Sequence, residues 1–177
     1  LRDYPNEPVL FNIRGACYAD LGQLDVAVKN YKEAIKIKPD YAKAHFNLAG
    51  SLHDLGQLET AVQSYQKTIE IDASYAEAFN NLGNVFQELK QFDSALHSYK
   101  KALEIKPNSG PALLGKGQIS FEQGNFELSL KNFDMCNNKR SKARSLSSLY
   151  ALGRIEDIYE RMDSWAEIED ENIEVAA

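Results

Sequence analysis

Residues 76–109 read AEAFNNLGNVFQELKQFDSALHSYKKALEIKPNS, and most landmarks in this stretch return 34 positions earlier and 34 positions later. Tyr99 stands in a column with Tyr31, Tyr65 and Phe133, and Gly83 in one with Gly15, Ala49 and Gly117. Ala95 aligns with Ala27, Ala61 and Ser129, Phe92 with Leu24, Leu58 and Phe126, and Ala102 with Ala34, Thr68 and Cys136. Pro5, Pro39 and Pro107 share a column in which Ala73 fills the gap. A self-similarity of this length marks a supersecondary unit that buries its apolar face only by stacking on copies of itself. Within each unit, large apolar residues recur at helical spacing and small ones face them, as in two helices that approach closely. Gly22, Gly56 and Gly124 fall where a first helix must end and the chain turn back. Proline then closes the second helix, since it lacks the amide that continuation needs. No two-residue alternation competes. The predicted fold is all-α, a solenoid of antiparallel helix pairs.

The pattern resembles the tetratricopeptide repeat family. Units 42–75 and 76–109 carry its signature most fully, in the latter as Phe79, Leu82, Gly83, Phe86, Ala95, Tyr99, Ala102 and Pro107. Unit 8–41 departs at Arg14, where a leucine is usual, and unit 110–138 carries Lys116 and Ser120 at positions normally apolar. The resemblance implies a right-handed superhelix. On the same register, residues 1–7 read as the end of a preceding repeat. Residues 139–166 read as a degenerate fifth repeat turning at Gly153, and 167–177 as the start of a further helix or cap. A chain that opens inside a repeat, without an initiator methionine, is expected to be a piece of a longer protein.

Composition narrows the functional classes. Of 177 residues, 44% are hydrophobic and 26% charged, which is the balance of a globular chain. No run of apolar residues is long enough to predict a membrane span, and Leu1–Glu7 shows no secretory pattern. Cys17 and Cys136 suggest neither a disulfide framework nor a zinc site, so a cytoplasmic setting is expected. Net charge is −6, and Glu156–Glu174 holds nine acidic residues against the single Arg161, a poor design for neutralising phosphates. Lys139, Arg140, Lys142 and Arg144 form a short basic cluster that reads as a solvated helix start.

Chemistry-bearing motifs are scarce. Gly110-Pro-Ala-Leu-Leu-Gly-Lys-Gly117 has the spacing of a phosphate loop, but glycine replaces the hydroxyl that would hold magnesium, and a helical pattern precedes it where a strand is needed. His45 shares an aromatic column with Phe11 and Phe79, His97 falls on a second helix, and His53 stands alone, so no metal is expected. No nucleophile has a recognisable partner spacing. Neither a cofactor nor catalysis is expected of this chain.

The resemblance implies a binding function, because the first helix of each pair lines a concave groove that takes extended peptides. The corresponding positions are Val9, Asn12, Ala16, Ala19 and Asp20; Lys43, Phe46, Asn47, Gly50, His53 and Asp54; Glu77, Asn80, Asn81, Asn84, Gln87 and Glu88; and Leu114, Gln118, Phe121 and Glu122. Asn47 and Asn81 match asparagines that the family uses to hold a ligand's backbone. An amide suits that task, since it both donates and accepts. Asp20, Asp54, Glu88 and Glu122 form an acidic ladder at the ends of the first helices, where a carboxylate opposes the helix dipole. The ladder reads either as attraction for a basic ligand or as a solvated acidic face. A clamp for terminal carboxylates, as in chaperone-binding members, would need basic residues where this chain has Asn12, Ala16, Glu77 and Asn81. The function expected is therefore a protein-interaction scaffold that binds a peptide or partner loop. A second reading makes the array the substrate-recruiting arm of a glycosyltransferase, sulfotransferase or oxygenase, as its asparagine-bearing repeats are similar to those of O-linked N-acetylglucosamine transferases. Exposed repeat ends add a surface for weak homodimerisation.

Overall fold

Thirteen helical residues, a tight turn and fourteen helical residues follow one another three times between Pro8 and Ile105. The computed structural model describes residues 7–136 and 138–174, the side chains of 166–174 excepted. Apart from Glu7, the expected end of a preceding repeat lies outside the described residues. The helices are α1 Pro8–Asp20, α2 Leu24–Ile37, α3 Ala42–Asp54, α4 Leu58–Ile71 and α5 Ala76–Glu88. They continue with α6 Phe92–Ile105, α7 Gly110–Glu122, α8 Phe126–Cys136, α9 Lys139–Ala151 and α10 Ile155–Glu174. No strand occurs among the described residues. The chain divides into two compact units, Leu1–Ala112 and Leu113–Ala177.

In the first unit each helix packs on the next, and α1, α3 and α5 also touch in succession. One cluster of the core buries Tyr31, Tyr65 and the alanines Ala27, Ala49, Ala61 and Ala78, and Ala95, Tyr99 and Ala102 are buried as well. Ring and backbone meet closely: a Cβ added to Gly15 would stand 2.6 Å from the Tyr31 ring, and one added to Gly83 2.6 Å from the Tyr99 ring. Glycine in that column is what lets the second helix lay its aromatic residue against the first. Helices α1 to α6 have no side-chain N-cap, so their starts depend on this tertiary packing rather than on local capping.

The first helices end as the glycines foretell, in a left-handed residue whose hydrogen bonds close the turn. After α1, Gly22 has φ of 72°, with Gly22 N–H donating to Ala19 O at 2.9 Å and Gln23 N–H to Tyr18 O at 2.8 Å. After α5 the same bonds form, Lys90 N–H to Gln87 O at 3.0 Å and Gln91 N–H to Phe86 O at 2.8 Å. There the left-handed residue is Lys90, with φ of 60°.

The second unit repeats the ring-on-glycine contact, with Phe133 buried where a Cβ on Gly117 would come within 2.5 Å of its ring. Its packing is otherwise more polar. Buried Ser129 donates to Gly117 O at 2.9 Å and lies 3.1 Å from Ser148 Oγ. Ser120 is buried too, its hydroxyl satisfied by Lys116 O at 2.9 Å, which is how a serine fills a normally apolar position. Basic residues open α9 against the helix dipole, but Asn138 and Ser141 form a reciprocal capping box there. Arg161 of α10 grips Asp134 of α8 through two hydrogen bonds of 2.6 and 2.8 Å. The α10 backbone runs unbroken through residues 166 and 167, where the sequence suggests the start of another element.

Two outcomes are expected. Lys90→Gly relieves a left-handed lysine and should raise stability by roughly 0.5–1 kcal/mol, read from the urea midpoint, against the small loss of the Lys90–Phe92 contact. Burial pushes the Tyr65 hydroxyl up to about 12, opposed by its hydrogen bond to Asn81 and helped by the charge of Asp54. An unfolded tyrosine ionises near pH ~10, so this contribution is whole below that pH and is lost as pH climbs to the folded value. Phenolate absorbance followed together with helical circular dichroism should show unfolding in that window, not below it.

Candidate functional site

Because the second helices carry the rings inward, the first helices of the first unit are left side by side as the other face. Their side chains pair across a fixed offset. Asn47 Nδ2 of α3 donates to Asn12 Oδ1 of α1 at 3.0 Å, and His53 Nε2 of α3 lies 2.7 Å from Glu88 Oε1 of α5. Both pairs are 35 residues apart, one more than the repeat. Asn12 is buried, so Asn47 spends its donor on an internal acceptor.

Further along, four amides sit on α5. Asn80 is buried, and its Nδ2 donates to Asn81 Oδ1 at 3.3 Å. Asn81 also shares a hydrogen bond with the Tyr65 hydroxyl. The Tyr99 hydroxyl lies 2.8 Å from Asn84 Oδ1 and 3.1 Å from Gln87 Oε1 and has one proton to give them. Thus the same tyrosines whose rings build the core organise the polar face with their hydroxyls. The acids add a field: Asp20, Asp54 and Glu88 end α1, α3 and α5 and are exposed. Burial first, then the nearest of these carboxylates, raises the pKa of Tyr31 and of Tyr99.

Phe46 of α3 is the apolar element. It stacks on Tyr75 with centroids 4.9 Å apart and meets the edge of Tyr65 at 5.8 Å. Lys43 Nζ lies 5.2 Å from the Phe46 centroid and 3.5 Å from the Tyr75 hydroxyl. Phe46, Asn80 and Asn81 then line a cavity of about 310 Å³ with Glu77, Lys106, Asn108 and Ser109. Lys106, Asn108 and Ser109 come from the exit of α6, outside the first helices to which the sequence pattern confined the groove. The signal was the proline-bearing turn, which the period places beside the next first helix. Gln118 and Glu122 belong to the second unit, where Gln118 Nε2 donates to Glu122 Oε1 at 3.4 Å.

The remaining motifs resolve simply. Residues 110–117 are helical, and Gly117 packs on Phe133, so the phosphate-loop spacing forms no loop. His45 is buried, with Nε2 2.9 Å from Pro39 O. Among the described residues no three metal-binding side chains cluster, and no helix is long and apolar enough to cross a membrane.

Comparison with known proteins agrees with this architecture. Residues 15–53 and 50–90 match the TPR repeat model, and residues 76–109 the tetratricopeptide repeat model, more than half of the chain together. A 48-residue stretch is 42% identical to small glutamine-rich tetratricopeptide repeat-containing protein 2 of Mycosarcoma maydis. It is 27% of this chain and spans only 14% of that protein. The crystal structure of MamA protein superposes with a TM-score of 0.80 at 17% identity, over 92% of both chains. YrrB, described as a TPR protein with an unusual peptide-binding site, superposes with a TM-score of 0.73 at 16% identity, over 96% of this chain and 90% of its own. Repeat period, ring-on-glycine packing and matched models agree, and the chain belongs to the tetratricopeptide repeat family.

Proposed function

We propose that the first unit is a protein-interaction module that holds an extended peptide or partner loop along α1, α3 and α5. The cavity beside Phe46, Asn80 and Asn81 carries this reading. An apolar ring, amides and charges of both signs converge there, a combination suited to a main chain with one side chain anchored. YrrB, of the same fold, has a peptide-binding site, which is consistent with that use. Around the cavity, Lys43, Asn84 and Gln87 form the polar border, while Asn12 and Asn47 hold neighbouring helices in register. The groove serves equally in a free-standing scaffold or as the recruiting arm of a longer enzyme.

Charge sets the preference of this groove. Asp20, Asp54 and Glu88 each oppose their own helix dipole at a cost of roughly 0.3–1 kcal/mol, and a basic segment lying across the helix ends offsets that cost. His53 already takes part in this field through Glu88.

The test is an array of 12-residue peptides in basic, neutral and acidic sets, followed by affinities in solution. The parent chain should bind members of the basic set most tightly, and Phe46→Glu should abolish binding of all sets. Asp54→Lys with Glu88→Lys should weaken the basic set by about tenfold at low salt, each exposed charge being worth up to roughly 1 kcal/mol. Unchanged affinity for basic peptides at low salt would reject the acidic ladder, and an array that binds nothing would reject the module.

A further inference from the structure

Most amides along α1, α3 and α5 are spent on one another, and among the described residues one buried amide oxygen is left over. Asn80 is only 8% exposed, and its Oδ1 is buried without a hydrogen-bond partner among the described residues. Neighbours set the orientation of that amide. Asn81, engaged with the Tyr65 hydroxyl, turns its Oδ1 to the Nδ2 of Asn80 at 3.3 Å. The donor half of Asn80 is thereby used, and its carbonyl is the half left unmet. At the equivalent position two repeats earlier the need is filled, since Asn12 Oδ1 accepts from the residue 35 positions on. A buried acceptor without a donor costs free energy that any donor reaching it recovers.

Asn80 lines the cavity of about 310 Å³, where Glu77 adds a second acceptor and Phe46 an apolar wall. We propose that this cavity is a subsite for a hydrogen-bond donor of the ligand, a peptide N–H or a lysine ammonium, with Asn80 Oδ1 as the receiving atom. This inference rests on the peptide-binding reading above and adds which chemistry the subsite takes. A group that only accepts, such as a carboxylate, brings its lone pairs against those of Asn80, and because Glu77 and Lys106 set opposite charges in the same lining, the discrimination rests on the Asn80 carbonyl. The carbonyl is screened from water in the free protein, and rotation about the broad χ2 of asparagine is the motion that would present it to a ligand. The site thus assigns Asn80, one position before the family-like Asn81, as the residue that sets specificity.

The test is a titration of the whole chain followed by NMR of its side-chain amides, with four small probes. N-methylacetamide and methylammonium carry N–H donors, whereas N,N-dimethylacetamide and acetate carry none. A donor probe should shift the Asn80 and Asn81 amide resonances saturably, with affinity about tenfold above the donor-free probes, as expected for one hydrogen bond to a buried acceptor. Saturation by N-methylacetamide assigns the donor to a peptide backbone, and saturation by methylammonium alone assigns it to a lysine side chain. Equal response to all four probes, or none at Asn80, overturns the proposal.

Two variants guard against a purely structural role. Asn80→Leu removes the acceptor at similar volume and should erase donor selectivity without lowering Tm. Selectivity retained in that variant overturns the proposal. Asn80→Asp, which keeps the shape if the leucine variant is unstable, should favour methylammonium over N-methylacetamide by a further tenfold or so. Failure of the peptide array with saturation at Asn80 intact would reject the module and leave the subsite standing. Array binding with no response at Asn80 would do the reverse.

Discussion

An aromatic ring laid against a residue with almost no side chain is the contact on which the whole stack rests. Tyr31 on Gly15, Tyr99 on Gly83 and Phe133 on Gly117 each close a helix pair at a distance that a Cβ would occupy. Ala49 takes the glycine's place in the α3/α4 pair, within the same buried cluster as Tyr65. Close packing of this kind transmits shape, because interiors at crystal-like density leave little room for a ring to move without moving its neighbours. Helices without side-chain caps are stable under these conditions because tertiary burial supplies what local capping does not.

These rings do a second job at their far ends. The hydroxyl of Tyr99 reaches Asn84 and Gln87, that of Tyr65 reaches Asn81, and that of Tyr31 reaches Ser51. A single side chain therefore ties the core to the face opposite, so the amides that look available in the sequence are partly committed before a ligand arrives. Phenylalanine at position 133 packs the same way but has no hydroxyl to offer. The second unit instead satisfies its interior with serines, as Ser129, Ser141, Ser145 and Ser148 are all buried.

The fold was legible because each structural need recurs as a column, and columns of ring, small residue and turn glycine at one period fit stacked helix pairs and little else. Lys90 was not legible as a left-handed residue, since the column there shows lysine where glycine stands in the other turns. For the site, the sequence singles out α1, α3 and α5, which lie side by side, but not the bonds across them. Those bonds join positions one register apart, as in Asn12 with Asn47 and His53 with Glu88, so a comparison of like with like does not reveal them. Amide orientation is hidden for a related reason: it depends on which neighbour donates first, as Tyr65 and Asn81 decide for Asn80.

That offset makes the order of the repeats a carrier of information in its own right. Asn12 with Asn47 and His53 with Glu88 each draw one member from a repeat and the other from a different position in its successor. Two arrays of identical composition, with their units shuffled, would therefore hold different sets of satisfied and unsatisfied groups. Duplicating residues 76–109 in tandem would set a second Asn81 thirty-five residues after Asn80 and supply the donor it lacks. Growth of such a chain by duplication thus rewrites the pairing along its first helices at the junction alone, and a solenoid can present a different set of open donors and acceptors without a single substitution.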